Sequence, residues 1–296
     1  MTVTMNGAYF NGLDQGGLAI ALANIPGSVT TDYILFSLEV PSGTSADINF
    51  GLSKIVLATG GQVTPSTDKL LCSVARAGVD KGKCQRVWLS IGSGGSSAFT
   101  NIQTILNTGG TLRSTLLKNF GAICQALKDI TGVKAVGFDM DYEEGGDLAS
   151  VVANVTIALY NAFQCQVTFC PFQQWLQSNW IGALQQVYST LGTQPVVGYN
   201  LQTYSGGNRN DPTDWTATLA NAKNTGVSDP ASFVWPIVSC DPAATPVSTP
   251  GQATQKLQGW SSKGASLWAA ASLSNPPTSP TLTDYGNAIF RGIQGS

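Results

Sequence analysis

Apolar and polar positions along this 296-residue chain follow two rhythms. Eight short apolar runs, at 5–10, 33–38, 86–91, 134–141, 166–170, 196–204, 233–239 and 265–270, have the length and alternation of strands. Between most of them lie segments with helical periodicity, clearest at 111–130, 147–163, 175–188, 211–224 and 282–293. Strands separated by helices form parallel β/α units rather than hairpins, and eight such units can close. The pattern therefore predicts an α/β fold, a single-domain (β/α)8 TIM barrel spanning 1–296.

Asp147 and Asp211 stand where side chains open helices, while Gly132 and Gly226 are expected to stop the helices before them. The interval 39–85 is longer than a simple connection and holds a strand-like patch at 48–56. It leaves room for a small hairpin insertion after the second strand, not for a second domain. No internal repeat is evident, and Ser/Thr/Pro-rich loops surround 242–251 and 274–281.

Composition narrows the chemistry. There is no histidine, which removes the usual general base, the commonest zinc ligand and every Ser-His-Asp or Cys-His arrangement. Acid–base catalysis must then rest on carboxylates. Net charge is only -2, with 15 Lys plus Arg and no basic run, so attraction to nucleic acid or an anionic membrane would be weak. No apolar stretch approaches the roughly 20 residues needed to span a bilayer. A surface rich in Ser, Thr, Asn, Gln and Gly, with 11% charged residues, resembles that of secreted proteins. Secretion with a leader removed is the expectation, with retention in the cytoplasm the alternative. Six cysteines show no metal-like spacing, and Cys72 with Cys84 is the one pairing considered.

The fourth strand carries the candidate chemistry. From Ala135 to Glu143 the residues alternate strictly: Ala, Gly, Asp, Asp and Glu on one face, Val, Phe, Met and Tyr on the other. In a barrel the apolar face packs outward on the helices, which turns Asp139, Asp141 and Glu143 inward, rising toward the mouth. Three such carboxyls cannot all ionise cheaply at low dielectric, so at least one holds a proton near neutral pH. Glu143, outermost, is the candidate acid; the deeper Asp139 and Asp141 tune it and orient what binds. An exposed acidic turn or an incidental cation site is the alternative for this cluster, which includes Glu144 and Asp147, but the glycine placement and ligand spacing of an EF-hand are missing.

The run Gly137-Phe138-Asp139-Met140-Asp141-Tyr142-Glu143 resembles the D-G-x-D-x-D-x-E signature of glycoside hydrolase family 18, which includes chitinases and endo-β-N-acetylglucosaminidases. Val136 replaces the first Asp of that signature, on the outward face, where the change bears on structure more than chemistry. Ser90-Ile91-Gly92-Ser93 is similar to the S-x-G-G element of strand three. Gln202-Thr203-Tyr204 resembles the strand-six Tyr element, with Gln as in the hevamine-like branch. Trp268 falls where the family places the aromatic floor of its sugar site, and Tyr9 and Phe36 where it often has aromatics.

The resemblance implies a retaining hydrolase of β-1,4-linked N-acetylglucosamine in which the substrate supplies the nucleophile. Glu143 would protonate the leaving oxygen, Asp141 and Tyr204 would orient the 2-acetamido group, and Asp139 would share a proton with Asp141. Tyr9, Phe36, Ser90, Gly92, Gln202 and Trp268 would contact substrate. It implies no metal or organic cofactor and a GlcNAc-containing glycan as the partner; a monomer is the expected form. Within the same resemblance, an endo-β-N-acetylglucosaminidase acting on N-glycans and a non-catalytic lectin are the alternatives. For Ser90, Gly92, Tyr204, Tyr9, Phe36 and Trp268 ordinary barrel packing stays open, and Trp88, Trp175, Trp180, Trp215, Trp235 and Trp260 are divided between packing and outer sugar contacts. Gly78 to Lys83 is one residue short of a phosphate loop. Asn154-Val155-Thr156 is a glycosylation sequon inside an expected helix.

Overall fold

The computed structural model describes residues 5–205 and 210–295. Eight parallel strands close a barrel: β1 (Met5–Phe10), β2 (Asp32–Glu39), β6 (Arg86–Ile91), β7 (Ala135–Met140), β8 (Val167–Phe169), β9 (Val196–Gln202), β10 (Val234–Ser239) and β11 (Gly264–Trp268). Closure is made by β1, which pairs in parallel with both β2 and β11. The expected (β/α)8 fold is therefore the observed one. Around it run α1 (Gly17–Asn24), α2 (Pro65–Thr67), a π turn (Asp68–Cys72), α3 (Ser73–Lys81), α4 (Ala98–Thr108), α5 (Gly110–Lys128), α6 (Leu148–Phe163), α7 (Gln177–Leu191), α8 (Pro212–Asn221), α9 (Pro250–Gly259) and α10 (Leu282–Gln294). Among the described residues no helix is long and apolar enough to cross a membrane.

The long interval after β2 holds more than one hairpin. It forms β3 (Ile48–Phe50), β4 (Val56–Thr59) and β5 (Gln62–Val63), an antiparallel ribbon that starts on the end of β2 through the pairs Leu38–Phe50 and Glu39–Asn49. This places the turn between β3 and β4 beside the barrel mouth.

Capping follows the sequence where side chains do the work. Asp147 accepts from Ser150 N (3.2 Å) to open α6, and Asp211 accepts from Thr213 N (2.8 Å) to open α8 ahead of Pro212. Gly132 and Gly226 do not stop the helices: α5 is capped by Asp129 and α8 by Ala222. Both glycines instead take positive φ in the loops that follow, φ 102° and 71°, which non-glycine residues adopt only with strain.

The strand alternation sorts the core into two layers. Outward residues such as Val136, Phe138 and Met140 join the large apolar layer beneath the helices, so Val136 does lie on the outer face. Inside the barrel, Met5, Tyr9, Ile34, Trp88, Cys170, Tyr204, Trp235 and Ile237 form a separate cluster. Trp88 and Trp235 fill the inner part of the barrel, and glycines make room for them. A Cβ on Gly137 would lie 2.6 Å from the Trp88 ring, and Cβ atoms on Gly198 and Gly264 would lie 2.5 and 2.6 Å from that of Trp235. The glycine of the signature run is thus a packing requirement.

All six cysteines are unbridged and buried, so the Cys72–Cys84 pairing is not made. Cys72 sits in the π turn and Cys84 before β6, where its thiol faces the Arg86 carbonyl at 3.6 Å. Each serves as a small apolar core residue.

Candidate active site

A cavity of about 570 Å³ opens at the C-terminal end of the barrel strands, the end where barrel enzymes carry their chemistry. Asp141, Glu143, Cys170, Gln202, Tyr204, Tyr9, Phe36 and Trp268 line it. Strand β7 ends at Met140, one residue earlier than expected, but Asp141 N still donates to Ile91 O (2.9 Å). Tyr142 packs outward against Phe99, with ring centroids 5.2 Å apart. The alternation therefore carries past the strand and delivers Asp141 and Glu143 to the cavity.

Asp139 lies below the others and is fully buried. Its Oδ2 accepts from Tyr9 Oη (3.1 Å) and Ser90 Oγ (2.9 Å), and its Oδ1 from Thr168 Oγ1 (2.6 Å) and Asn200 Nδ2 (2.9 Å). Burial pushes its carboxyl above the usual range, and these four donors oppose the shift. Asp141 is held up more strongly, first by burial and then by the charges of Glu143 and Asp139. The acceptor positions of Asp139 are occupied from four other strands.

Glu143 is half-buried, and burial raises its carboxyl above its ordinary value while Gln202 pulls it down. Gln202 Nε2 donates to Asp141 Oδ1 (3.0 Å) and to Glu143 Oε1 (2.9 Å), so one amide bridges both acids. A partly exposed acid with a raised proton affinity is suited to deliver a proton to a bound group. Tyr204 is buried beside the row, and burial followed by the nearby Cys170, Asp141 and Glu143 pushes its phenol well above its usual value, so it remains a neutral donor. Its ring stacks on Trp268 at 5.9 Å and 17°. Trp268 also meets Tyr9 (5.5 Å) and Phe36 (4.9 Å), completing an aromatic floor.

Two residues expected to contact substrate do not line the cavity. Ser90 is fully buried and spends its hydroxyl on Asp139. Gly92 packs against the row from behind: with φ 87°, a Cβ there would come within 2.5 Å of Asp141 O. The loop residues Ser93 and Gly94 face the cavity instead, and a Cβ on Gly94 would lie 3.1 Å from Glu143 Oε2.

Several participants went unmarked in the sequence. Cys170 sits on the floor, its Sγ 3.4 Å from Tyr9 Oη and 3.6 Å from Gln202 Nε2. Burial raises its thiol well above the usual range, so it is a neutral filler rather than a thiolate. Period-two counting from Thr168 and from Tyr204 would have turned Cys170 and Asn200 inward. Glu144 turns away from the cavity and caps α4, accepting from Phe99 N (2.7 Å), Thr100 N (3.0 Å) and Thr100 Oγ1 (2.6 Å). Glu39 accepts from Ser93 and Ser96, fastening the same loop to β2. No local pattern signals these two anchors. Among the described residues, no group of three or more His, Cys, Asp or Glu side chains is placed to hold a metal ion.

No family model matches the chain, and no curated protein sequence does. Solved structures do. A family 18 chitinase from Pseudoalteromonas aurantia superposes with a TM-score of 0.61 at 15% identity, over 97% of this chain and 99% of that one. A fungal endo-β-N-acetylglucosaminidase of family 18 gives 0.60 at 14% identity, over 99% and 98%. A chitinase-like agglutinin from Robinia pseudoacacia gives 0.62 at 11% identity, over 96% and 99%. At such identities the likeness establishes a shared fold. It does not single out the hevamine-like branch.

Proposed function

We propose that this protein is a retaining glycoside hydrolase that cleaves β-1,4-linked N-acetylglucosamine, with chitin or its oligomers as substrate. The observation that carries this reading is the pair of cavity acids bridged by Gln202: Asp141, buried, and Glu143, half-exposed, both with raised proton affinity. A second carboxylate poised as nucleophile is not needed if the substrate's own 2-acetamido oxygen attacks the anomeric carbon. Glu143 gives its proton to the leaving oxygen, breaking the glycosidic bond as the oxazolinium ring closes. Asp141 accepts from the acetamido N–H, an interaction that strengthens as positive charge develops there, and Tyr204 donates to the acetamido carbonyl and orients it for attack. Water, deprotonated by Glu143, then opens the ring with net retention.

The aromatic floor of Trp268, Tyr204, Tyr9 and Phe36 supports a sugar in this pose, since the C–H faces of a pyranose lie well on aromatic rings. A purely sugar-binding role would have no use for a proton-holding acid at the cavity wall.

The test compares the parent protein and Glu143→Gln on GlcNAc oligomers and, in parallel, on a high-mannose glycopeptide. Parent turnover of the oligomers, reduced about 10²-fold or more in the variant while oligomer binding persists, is the expected result. Cleavage of the glycopeptide alone would reassign the substrate to N-glycans. Binding without cleavage by the parent would make the protein a lectin.

A further inference from the structure

Glu39 is a buried acid that the chemistry of the cavity does not use. It ends β2 with 4% of its surface exposed, and burial raises its carboxyl above the usual range while two serines oppose the shift. Ser93 Oγ donates to its Oε1 (3.1 Å) and Ser96 Oγ to its Oε2 (2.5 Å). An apolar side chain would fill this place without the cost of burying a carboxyl, so the bonds it makes are the reason to look for its use.

Both serines belong to the loop joining β6 to α4. The flanks of that loop are tied to the end of β2: Gly92 N donates to Leu38 O (3.1 Å), and Asn101 Nδ2 donates to Val40 O (2.8 Å). Between these ties, among the described residues, the hydrogen bonds that reach 93–96 from another element are the two made by Glu39. This is the stretch that meets Glu143. Ser93 and Gly94 line the cavity, and a Cβ on Gly94 would lie 3.1 Å from Glu143 Oε2. Gln202 Nε2 donates to the other oxygen, Oε1, at 2.9 Å. The acid therefore sits between a donor on one oxygen and the backbone of this loop on the other.

We infer that Glu39 is a positioning residue for Glu143, acting through the 93–96 loop: it holds Gly94 against Oε2, which fixes the orientation of the acid and shields that oxygen from water. This takes the glycosidase reading of the cavity as its premise. Glu39 itself is buried behind the loop and does not line the cavity. Its loss loosens the wall beside the acid and leaves the aromatic floor in place, so turnover should suffer more than binding. A retreating loop also lets water reach Glu143. Because burial is what raises the proton affinity of that acid, its proton then leaves at lower pH.

The test measures kcat, KM and the pH dependence of kcat/KM on GlcNAc oligomers for the parent, Glu39→Leu, Ser96→Ala and Glu39→Gln. Leu keeps the volume of the side chain without an acceptor, and Ser96→Ala removes one bond from the loop side with β2 untouched. Gln is the conservative variant, since its amide can accept from one serine and donate to the other. The expected result is a kcat lower by about 10-fold for Glu39→Leu and about 3-fold for Ser96→Ala, with KM within about 2-fold of the parent. The alkaline limb of kcat/KM moves to lower pH in both, and Glu39→Gln recovers most of the loss. Melting curves check that each variant is folded; should Glu39→Leu not fold, Ser96→Ala decides by the same criteria. A folded variant with parental kcat and an unmoved limb, or with a rise in KM alone, overturns the positioning role and leaves the cavity reading intact. A parent that turns over no oligomer overturns both.

Discussion

Gln202 donates to Glu143 across 2.9 Å from a strand two places round the barrel, 59 positions along the chain, and the same nitrogen holds Asp141. One neutral amide thus sets the spacing of the two acids and lowers the proton affinity of the outer one. Gln202→Leu should remove that pull. Glu143 then keeps its proton to higher pH, so the alkaline limb of the kcat/KM profile moves upward, while the maximum rate falls about 10-fold or more as Asp141 loses its register. A pH–rate series on GlcNAc oligomers reads both effects; an unmoved alkaline limb would refute the coupling.

Asp141 is raised by burial and by two like charges, so its carboxyl binds a proton more tightly in the folded protein than in the unfolded chain. Stability contributed by that proton is full below the ordinary carboxylate value and declines as pH rises toward the folded one. Asp141→Asn removes the penalty, so it should stabilise at pH 7 by about 1–2 kcal/mol, with the advantage vanishing near pH 4. Activity should be lost. Thermal melts of parent and variant from pH 4 to 8 give the comparison, and an advantage that grows on acidification would reverse the sign.

Glu144 follows the acid in sequence yet faces the other way, clamping the start of α4 with three hydrogen bonds. Its removal should cost stability as loss of a helix cap does, about 1–2 kcal/mol for Glu144→Ala. Because the clamp also anchors the residue after Glu143, kcat should fall while KM changes little. Glu144→Gln, which keeps an acceptor, should recover part of both. A KM-only effect would show that the clamp does not orient the acid.

Gly137 and Trp88 share a space too small for another carbon, the Cβ contact being 2.6 Å to the ring and 2.7 Å to Gln166 O. Gly137→Ala should destabilise by about 2–3 kcal/mol through overpacking, visible in urea denaturation. Combined with Trp88→Leu, which relieves the ring clash but leaves that with Gln166 O, the two losses should be less than additive.

The barrel and the inward row were legible because strand alternation is local: Val136, Phe138, Met140 and Tyr142 facing the helices leave Asp139, Asp141 and Glu143 only the interior. The sequence by itself determined the strand order, the outermost acid and the aromatic candidates. Tertiary structure alone decided how the acids are held. The donors on Asp139 come from positions 130, 49, 29 and 61 residues away, and only closure of the sheet brings their strands onto one carboxylate. It also moved Ser90 and Gly92 behind the site, turned Glu144 into a helix cap and left Trp175 uncovered. Periodicity tells a side chain which way to face; which groups meet it there depends on register between strands remote in sequence, and no local pattern encodes that.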